Sequence, residues 1–228
     1  MQPAALLEEL DRQVMDAVVR GLPGQKPATP APPTVPEMLV AALRAKLEAV
    51  DEAALWMSAE ADLELKLGLA RQCGDEARHY RLIAERLWAL GADLARVDPL
   101  ARGHSRLFRF LKSLETTAER LAAGTFAREG LSRLRGAALA DLCDRVGDRE
   151  TAALYREVIG PDEAVHHELG RRLLPRLAAT SDDQERARRA VARTLQLADE
   201  LQDLQRLRQA LSVDPGARPP DPLAAGSR

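Results

Sequence analysis

Aromatic residues make up only 3% of this 228-residue chain, and leucine and alanine crowd out the β-branched residues. That scarcity argues against strands and for helices. No stretch of 18 apolar residues occurs, so no membrane-spanning helix is expected. The first ten residues carry Glu8 and Glu9 and no basic segment, which excludes a signal peptide from the reading. Neither sign of charge dominates: 33 basic against 35 acidic residues leave a net charge of −2. A general nucleic-acid surface would need a large basic excess, so no nucleic-acid partner is expected. There are two cysteines, Cys73 and Cys143, and no C-x-x-C pair. A disulfide framework, a zinc ribbon and a rubredoxin-type iron site are thereby set aside, and the expected compartment is a reducing cytoplasm. Histidine is scarcest of the informative residues, with His79, His104, His166 and His167 only.

Proline is scarce where it matters. Of 14 prolines, six fall between Pro23 and Pro36 and four between Pro215 and Pro222, leaving Pro99, Pro161 and Pro175 within residues 37–212. Proline blocks helix interiors, so the dense stretches read as linker and tail. The expected organisation is an N-terminal amphipathic helix (1–21), a Pro-rich linker (22–36), a helical body (37–212) and a Pro-rich tail (213–228). The N-terminal helix carries Leu6, Leu7, Leu10, Met15 and Val18 at helical spacing, suited to docking on the body or on a partner. Five helices are expected in the body, over 37–57, 62–90, 104–145, 149–178 and 182–212. The last carries Leu197, Leu201, Leu204 and Leu211 along one seam. Long helices joined by short connections make an antiparallel bundle.

One short motif occurs twice. Residues 75–79 read Asp-Glu-Ala-Arg-His and residues 162–166 read Asp-Glu-Ala-Val-His, an offset of 87. Leu82 and Leu169, and Leu87 and Leu174, repeat at the same offset. Positions i and i+3 share a helix face, so Glu76 with His79, and Glu163 with His166, can each reach one metal ion. In the second helix the motif lies in line with Leu65, Leu69, Cys73, Ile83, Leu87 and Leu90. In the fourth it lies in line with Tyr155, Ile159, Gly170, Leu173 and Leu177. A lone carboxylate on such a seam would cost several kcal/mol or be forced to protonate. Two carboxylates and two imidazoles converging there call for a cation.

A bridging site also needs a carboxylate from each of the other two helices. Glu129 lies 34 residues before Glu163 and supplies one. Glu48 lies 28 residues before Glu76 and is the best fit for the other by its height along the helix; Glu52 stays open and Glu37 fits worse. His167 points to a neighbouring face, and His104 suits a cap or the surface. Pro161, two residues before Glu163, should open its helix by a kink or a π-type bulge.

At these residues the chain resembles the ferritin-like di-iron carboxylate proteins, which use one Glu from each of two helices and an E-x-x-H from each of two others. The resemblance covers about 37–178. It implies an all-α, ferritin-like antiparallel four-helix bundle with an extra C-terminal helix and a tethered N-terminal helix. It implies Glu48, Glu76, His79, Glu129, Glu163 and His166 as ligands of two irons, or of iron with manganese. It also implies that Asp75 orients His166 and that Asp162 orients His79, each across the helices.

The function this implies is a di-iron oxidoreductase activating dioxygen or peroxide, with the small-molecule substrate and the electron donor unnamed. A substrate pocket beside the metals would be lined by Trp56, Cys73, Phe126 and Tyr155, all of which also suit plain core packing. One alternative is an iron-handling protein, a ferroxidase or peroxide scavenger, with which cage or homodimer assembly would go. The other is a non-catalytic helical interaction module with a structural or vestigial metal site. The pair of E-x-x-H motifs disfavours pure iron storage. Ile83, standing where a reductase small subunit would place a tyrosine, disfavours that role.

Overall fold

The computed structural model describes residues 3–21 and 33–212, so most of the Pro-rich linker and all of the tail lie outside the described residues. Among the described residues every regular element is helical and none is a strand. No described helix is long and apolar enough to cross a membrane.

Helix α1 (Pro3–Gly21) precedes α2 (Val35–Ala59), α3 (Leu63–Ala89) and the short α4 (Arg106–Lys112). The start of α2 falls two residues earlier than expected. Thr34 and Glu37 form a reciprocal capping box, and Pro36 sits in the first turn, where its missing N–H is not needed. Only Glu60 to Asp62 separate α2 from α3, which pack along each other as a hairpin. Glu60 ties the turn by accepting the backbone N–H groups of Ala61 and Asp62 and the Thr117 hydroxyl.

The expected single helix over 104–145 is interrupted. Ser113 closes α4, and Thr116 caps a new start, α5 (Thr117–Arg120), through a second capping box with Glu119. From α5 the chain continues as a π-helical stretch, Leu121–Arg128, into α6 (Glu129–Val146). Gly147, at φ 86°, ends α6 in the left-handed region that glycine tolerates. The next rod repeats the device: α7 (Arg149–Ala153), a π-helical stretch Leu154–Ile159, then α8 (Gly160–Leu177). The Gly160 N–H reaches five residues back, to the Tyr155 carbonyl. A β-carbon at Gly160 would meet that oxygen at 2.8 Å, so the π-turn requires glycine here. Pro161 follows at once, and having no N–H it loses nothing to the altered register.

The stretch 121–128 and α6 pack on α8, α3 also touches α8, and α9 (Ser181–Ser212) covers the stretch 121–128 and α5. Helix α1 docks on α6, α8 and α9. It buries Leu6, Leu10, Val14 and Ala17, while Met15 is half exposed. The buried face therefore differs from the one read in the sequence at Met15: Val14 and Ala17 join Leu6 and Leu10 at its centre, and Val18 packs against it at the edge. Asp11 to Arg171 and Glu9 to Arg188 flank the seam with ion pairs. Leu197 is buried on α9, and the side chains of Leu204 and Leu211 lie outside the described residues.

The apolar interior is split. One cluster gathers Leu65, Leu69, Trp56, Leu121, Phe126 and Leu173 with the buried side of α1. The other gathers Leu39, Leu43, Ile83, Leu87, Cys143, Tyr155 and Ile159. Between the residues of these two clusters on α2, α3 and α8 stand buried charged groups.

Candidate metal centre

The charged layer is built from Lys46 and Glu52 on α2, Gln72, Glu76 and His79 on α3, Glu129 on α6, and Glu163 and His166 on α8, all at most 5% exposed. Both π-helical stretches end next to this layer. Leu121–Arg128 leads directly into Glu129, and Leu154–Ile159 ends four residues before Glu163. An inserted residue rotates the following helix face by about 100° relative to what precedes it, so these turns set which way the two carboxylates point.

Glu76, Glu129 and His166 each present one ligand atom within 4.8 Å of the others, all three buried. His166 Nδ1 lies 3.2 Å from Glu129 Oε2 and 3.9 Å from Glu76 Oε1. Its Nε2 is 3.0 Å from Asp75 Oδ2. His79 mirrors this arrangement: its Nε2 is 2.9 Å from Asp162 Oδ2, and its Nδ1 turns inward, 3.6 Å from Glu76 Oε2. The crossed Asp–His pairs are those that the resemblance implies, and Arg71 and Arg78 in turn hold the two aspartates. With Nε2 of each ring engaged by a carboxylate, Nδ1 is the atom left for the centre. Gln72 adds a bond to the other oxygen of Glu129, Nε2 to Oε1 at 2.9 Å. Within the layer, Gln72 Oε1, Glu76 Oε2, His79 Nδ1 and Glu163 Oε2 are buried without a hydrogen bond.

The remaining expected ligand is elsewhere. Glu48 spends both oxygens on Ser105, whose N–H donates at 2.6 Å and whose hydroxyl donates at 2.7 Å, with Arg44 at 3.3 Å. The structure does not bring it into the group formed by Glu76, Glu129 and His166. The expectation matched Glu48 by height along the helix and ignored its direction. At 100° per residue Glu48 lies about 180° from Leu39, on the side covered by Ser105 at the start of α4. Glu52, the alternative, is paired with Arg128, whose Nη2 also donates to the Ala45 carbonyl at 2.7 Å.

The α2 group that reaches Glu76 and Glu163 is Lys46. Its ammonium is 2.6 Å from Glu163 Oε1 and 3.0 Å from Glu76 Oε2. Ser132 donates to the same Glu163 oxygen at 2.5 Å. Burial alone would lower the pKa of Lys46, but Glu163, Glu76 and Glu129 raise it well above the ordinary lysine range, so it is a fixed cation. Glu76 shows the reverse balance: burial pushes it up, yet Lys46 and then His79 hold it down at about 2. For Glu163 burial, with Glu129 and Glu76 close by, raises it against the pull of Lys46. Burial would lower His166, but Glu129 and then Asp75 raise it to about 9. Burial lifts Glu52 to about 7 in spite of Arg128.

His167 is turned away, its Nδ1 at 2.8 Å from the Phe126 carbonyl, and His104 stacks on Phe108. Of the four residues expected to line a substrate pocket, Trp56 and Phe126 belong to one apolar cluster and Tyr155 to the other. Cys73 is half-buried against the Val50 carbonyl. A cleft of about 420 Å³ lies instead between α1, α6 and α8, lined by Asp11, Val14, Gly130, His167 and Arg171. Lys46, Gln72, Arg128 and Ser132 are the site residues that the sequence reading missed. Compared with protein-family models, characterised proteins and solved structures, the chain has no match.

Proposed function

We propose that this chain is a ferritin-like metalloprotein, an oxidoreductase that uses iron, or iron with manganese, to react with dioxygen or peroxide. In this reading the α2–α3 hairpin and the rods 117–146 and 149–177 form the four-helix bundle, α9 is the extra helix and α1 the tethered one. The observation that carries it is the crossed pairing of Asp75 with His166 and Asp162 with His79, which leaves both Nδ1 atoms facing a buried set of carboxylates. An apolar core has no use for two imidazoles held by external aspartates, whereas a cation between them does. The donors fit the ion: carboxylate oxygen and imidazole nitrogen suit iron and manganese, and Glu76, Glu129 and His166 each bring one buried ligand atom within 4.8 Å of the others.

Iron held by Glu76, Glu129 and His166 would supply the redox chemistry with dioxygen or peroxide. The protein's own contribution is fixed geometry. Asp75 and Asp162 hold the imidazole N–H groups, Gln72 holds Glu129, and the two apolar clusters keep bulk water off the layer. Helix α1 is docked on α6, α8 and α9, which removes one of the features that favoured a partner-binding module.

The test is anaerobic addition of ferrous iron followed by oxygen, with metal analysis and visible absorption. Tight iron binding and rapid oxidation, both lost in a Glu76→Ala, His166→Ala double variant, are expected. A wild-type protein that binds no iron and is equally stable without it would sink the reading. Oxidised organic product would favour the oxidoreductase; mineralised ferric iron would favour the iron-handling alternative.

A further inference from the structure

The resemblance implies two metal ions, but the layer already holds a cation of its own. Lys46 sits between Glu76 and Glu163, at 3.0 and 2.6 Å, on the side of the layer where His79 Nδ1 stands 3.6 Å from the same Glu76 oxygen. That is where an ion shared by His79, Glu76 and Glu163 would have to lie. On the other side Glu76, Glu129 and His166 converge without an ammonium among them. The α2 side chain between Glu76 and Glu163 is thus a cation, while the α2 carboxylate of the layer, Glu52, is taken up by Arg128.

Charge counting agrees with position. Glu76, Glu129 and Glu163 bring three negative charges to the layer, Lys46 returns one positive, and Glu52 with Arg128 cancels itself. The residue of two negative charges is matched by one divalent cation beside neutral imidazoles. Two divalent cations would leave an excess of two positive charges in a buried layer, which low-polarity surroundings oppose. Replacing Lys46 by a carboxylate changes the count to four negative charges, matched by two divalent cations.

We infer that Lys46 stands in for one of the two cations, so that the protein takes a single divalent ion per chain, held by Glu76, Glu129 and His166. This rests on the metalloprotein reading above, and its test separates the two. The full chain is dialysed against manganese(II) without oxygen, the bound ion is counted by elemental analysis, and its electron paramagnetic resonance is recorded. One ion per chain with the signal of an isolated manganese is expected in the wild type. His166→Ala should lose that ion and His79→Ala should keep it. Lys46→Glu, folded in the presence of manganese(II), should bind two ions with the signal of a coupled pair, and Lys46→Arg should remain at one.

Two ions in the wild type would overturn the inference and leave the metalloprotein reading standing. No ion in the wild type would sink both. One ion in the wild type that His79→Ala removes and His166→Ala spares would overturn the placement. One ion in both the wild type and Lys46→Glu would show that Lys46 is not what excludes the second.

Discussion

Lys46→Met in the metal-free protein isolates the ion pairs that hold the layer together. Methionine keeps the length of the side chain and removes the ammonium, leaving Glu76 and Glu163 buried without their shared partner. Breaking a buried pair by removing one partner costs roughly 3–5 kcal/mol, and the pH dependence follows from Glu76, which burial pushes up but Lys46 and then His79 hold down at about 2. The sign is that of a depressed carboxylate: the stabilisation is full above pH 4.5 and is lost as the pH falls toward 2. The gap between wild type and variant should therefore be at least about 3 kcal/mol at pH 7 and should narrow at pH 3. For a chain of this size the pH 7 gap corresponds to a melting-temperature loss of roughly 6–12 °C. Urea unfolding followed by far-ultraviolet circular dichroism, in the presence of a chelator, measures it. A gap under about 1 kcal/mol at pH 7, or one that does not narrow at pH 3, would refute the claim that Lys46 neutralises Glu76.

Asp75→Asn keeps an acceptor for the His166 N–H but removes its charge, and should weaken metal binding by about 10–100-fold in a chelator competition, whereas Asp162→Asn, beside His79, should leave the affinity unchanged; equal effects from the two would remove Asp75 from its role. Gly170→Ala brings a β-carbon to 2.9 Å from the N, Cα and Cβ of Phe126. Backbone cannot swing aside as a side chain can, so a loss of about 1–3 kcal/mol by denaturant unfolding is expected. Gly74→Ala is its control, with nothing within 4 Å, and should gain up to about 1 kcal/mol from helix propensity alone. Cys143 is fully buried, and burial pushes its thiol up to about 11. A thiol reagent at pH 8 should therefore label Cys73 first and Cys143 only as the protein unfolds; equal rates in the native state would contradict its burial.

Much of this was legible in the sequence because long helices write their periodicity plainly. The boundaries of α3 and the start of α9 fall within a residue or two of where Asp62, Gly91 and Ser181 mark them. The repeated D-E-A-x-H places both histidines and their aspartates because it is local: i to i+3 on one helix needs no knowledge of the tertiary arrangement. What the sequence reading missed depends on direction or on cap chemistry. The break at 113–116 was overrun because residues 104–145 keep an apolar period through it, while Thr116 and Glu119, the capping box that restarts the helix, were passed over. On α1 only Met15 falls outside the docked face, since Val14 and Met15 are adjacent apolar residues of which either could face inward.

The α2 contribution is the instructive failure, because the signal for it was present. Leu39, Leu43, Lys46, Val50 and Ala53 repeat at intervals of four and three, and at 100° per residue Lys46 lies within about 20° of Leu39, while Glu48 is on the far side. Glu48 satisfies the height along the helix but not the direction, which Ser105 shows by taking both of its oxygens. Composition also pointed to the lysine. Arginine outnumbers lysine so heavily, 29 to four, that a lysine on a buried stripe is an exception to the chain's own habit. The guanidinium is a wide planar fork, whereas the ammonium is a compact point charge on a thin stem. Only the second can reach between two carboxylates 3 Å away on either hand without displacing the helices that carry them. The preference for lysine at 46 is thus a size selection for something the shape of a single ion. For that reason an arginine there should keep the charge balance but strain the packing, and the two effects can be told apart.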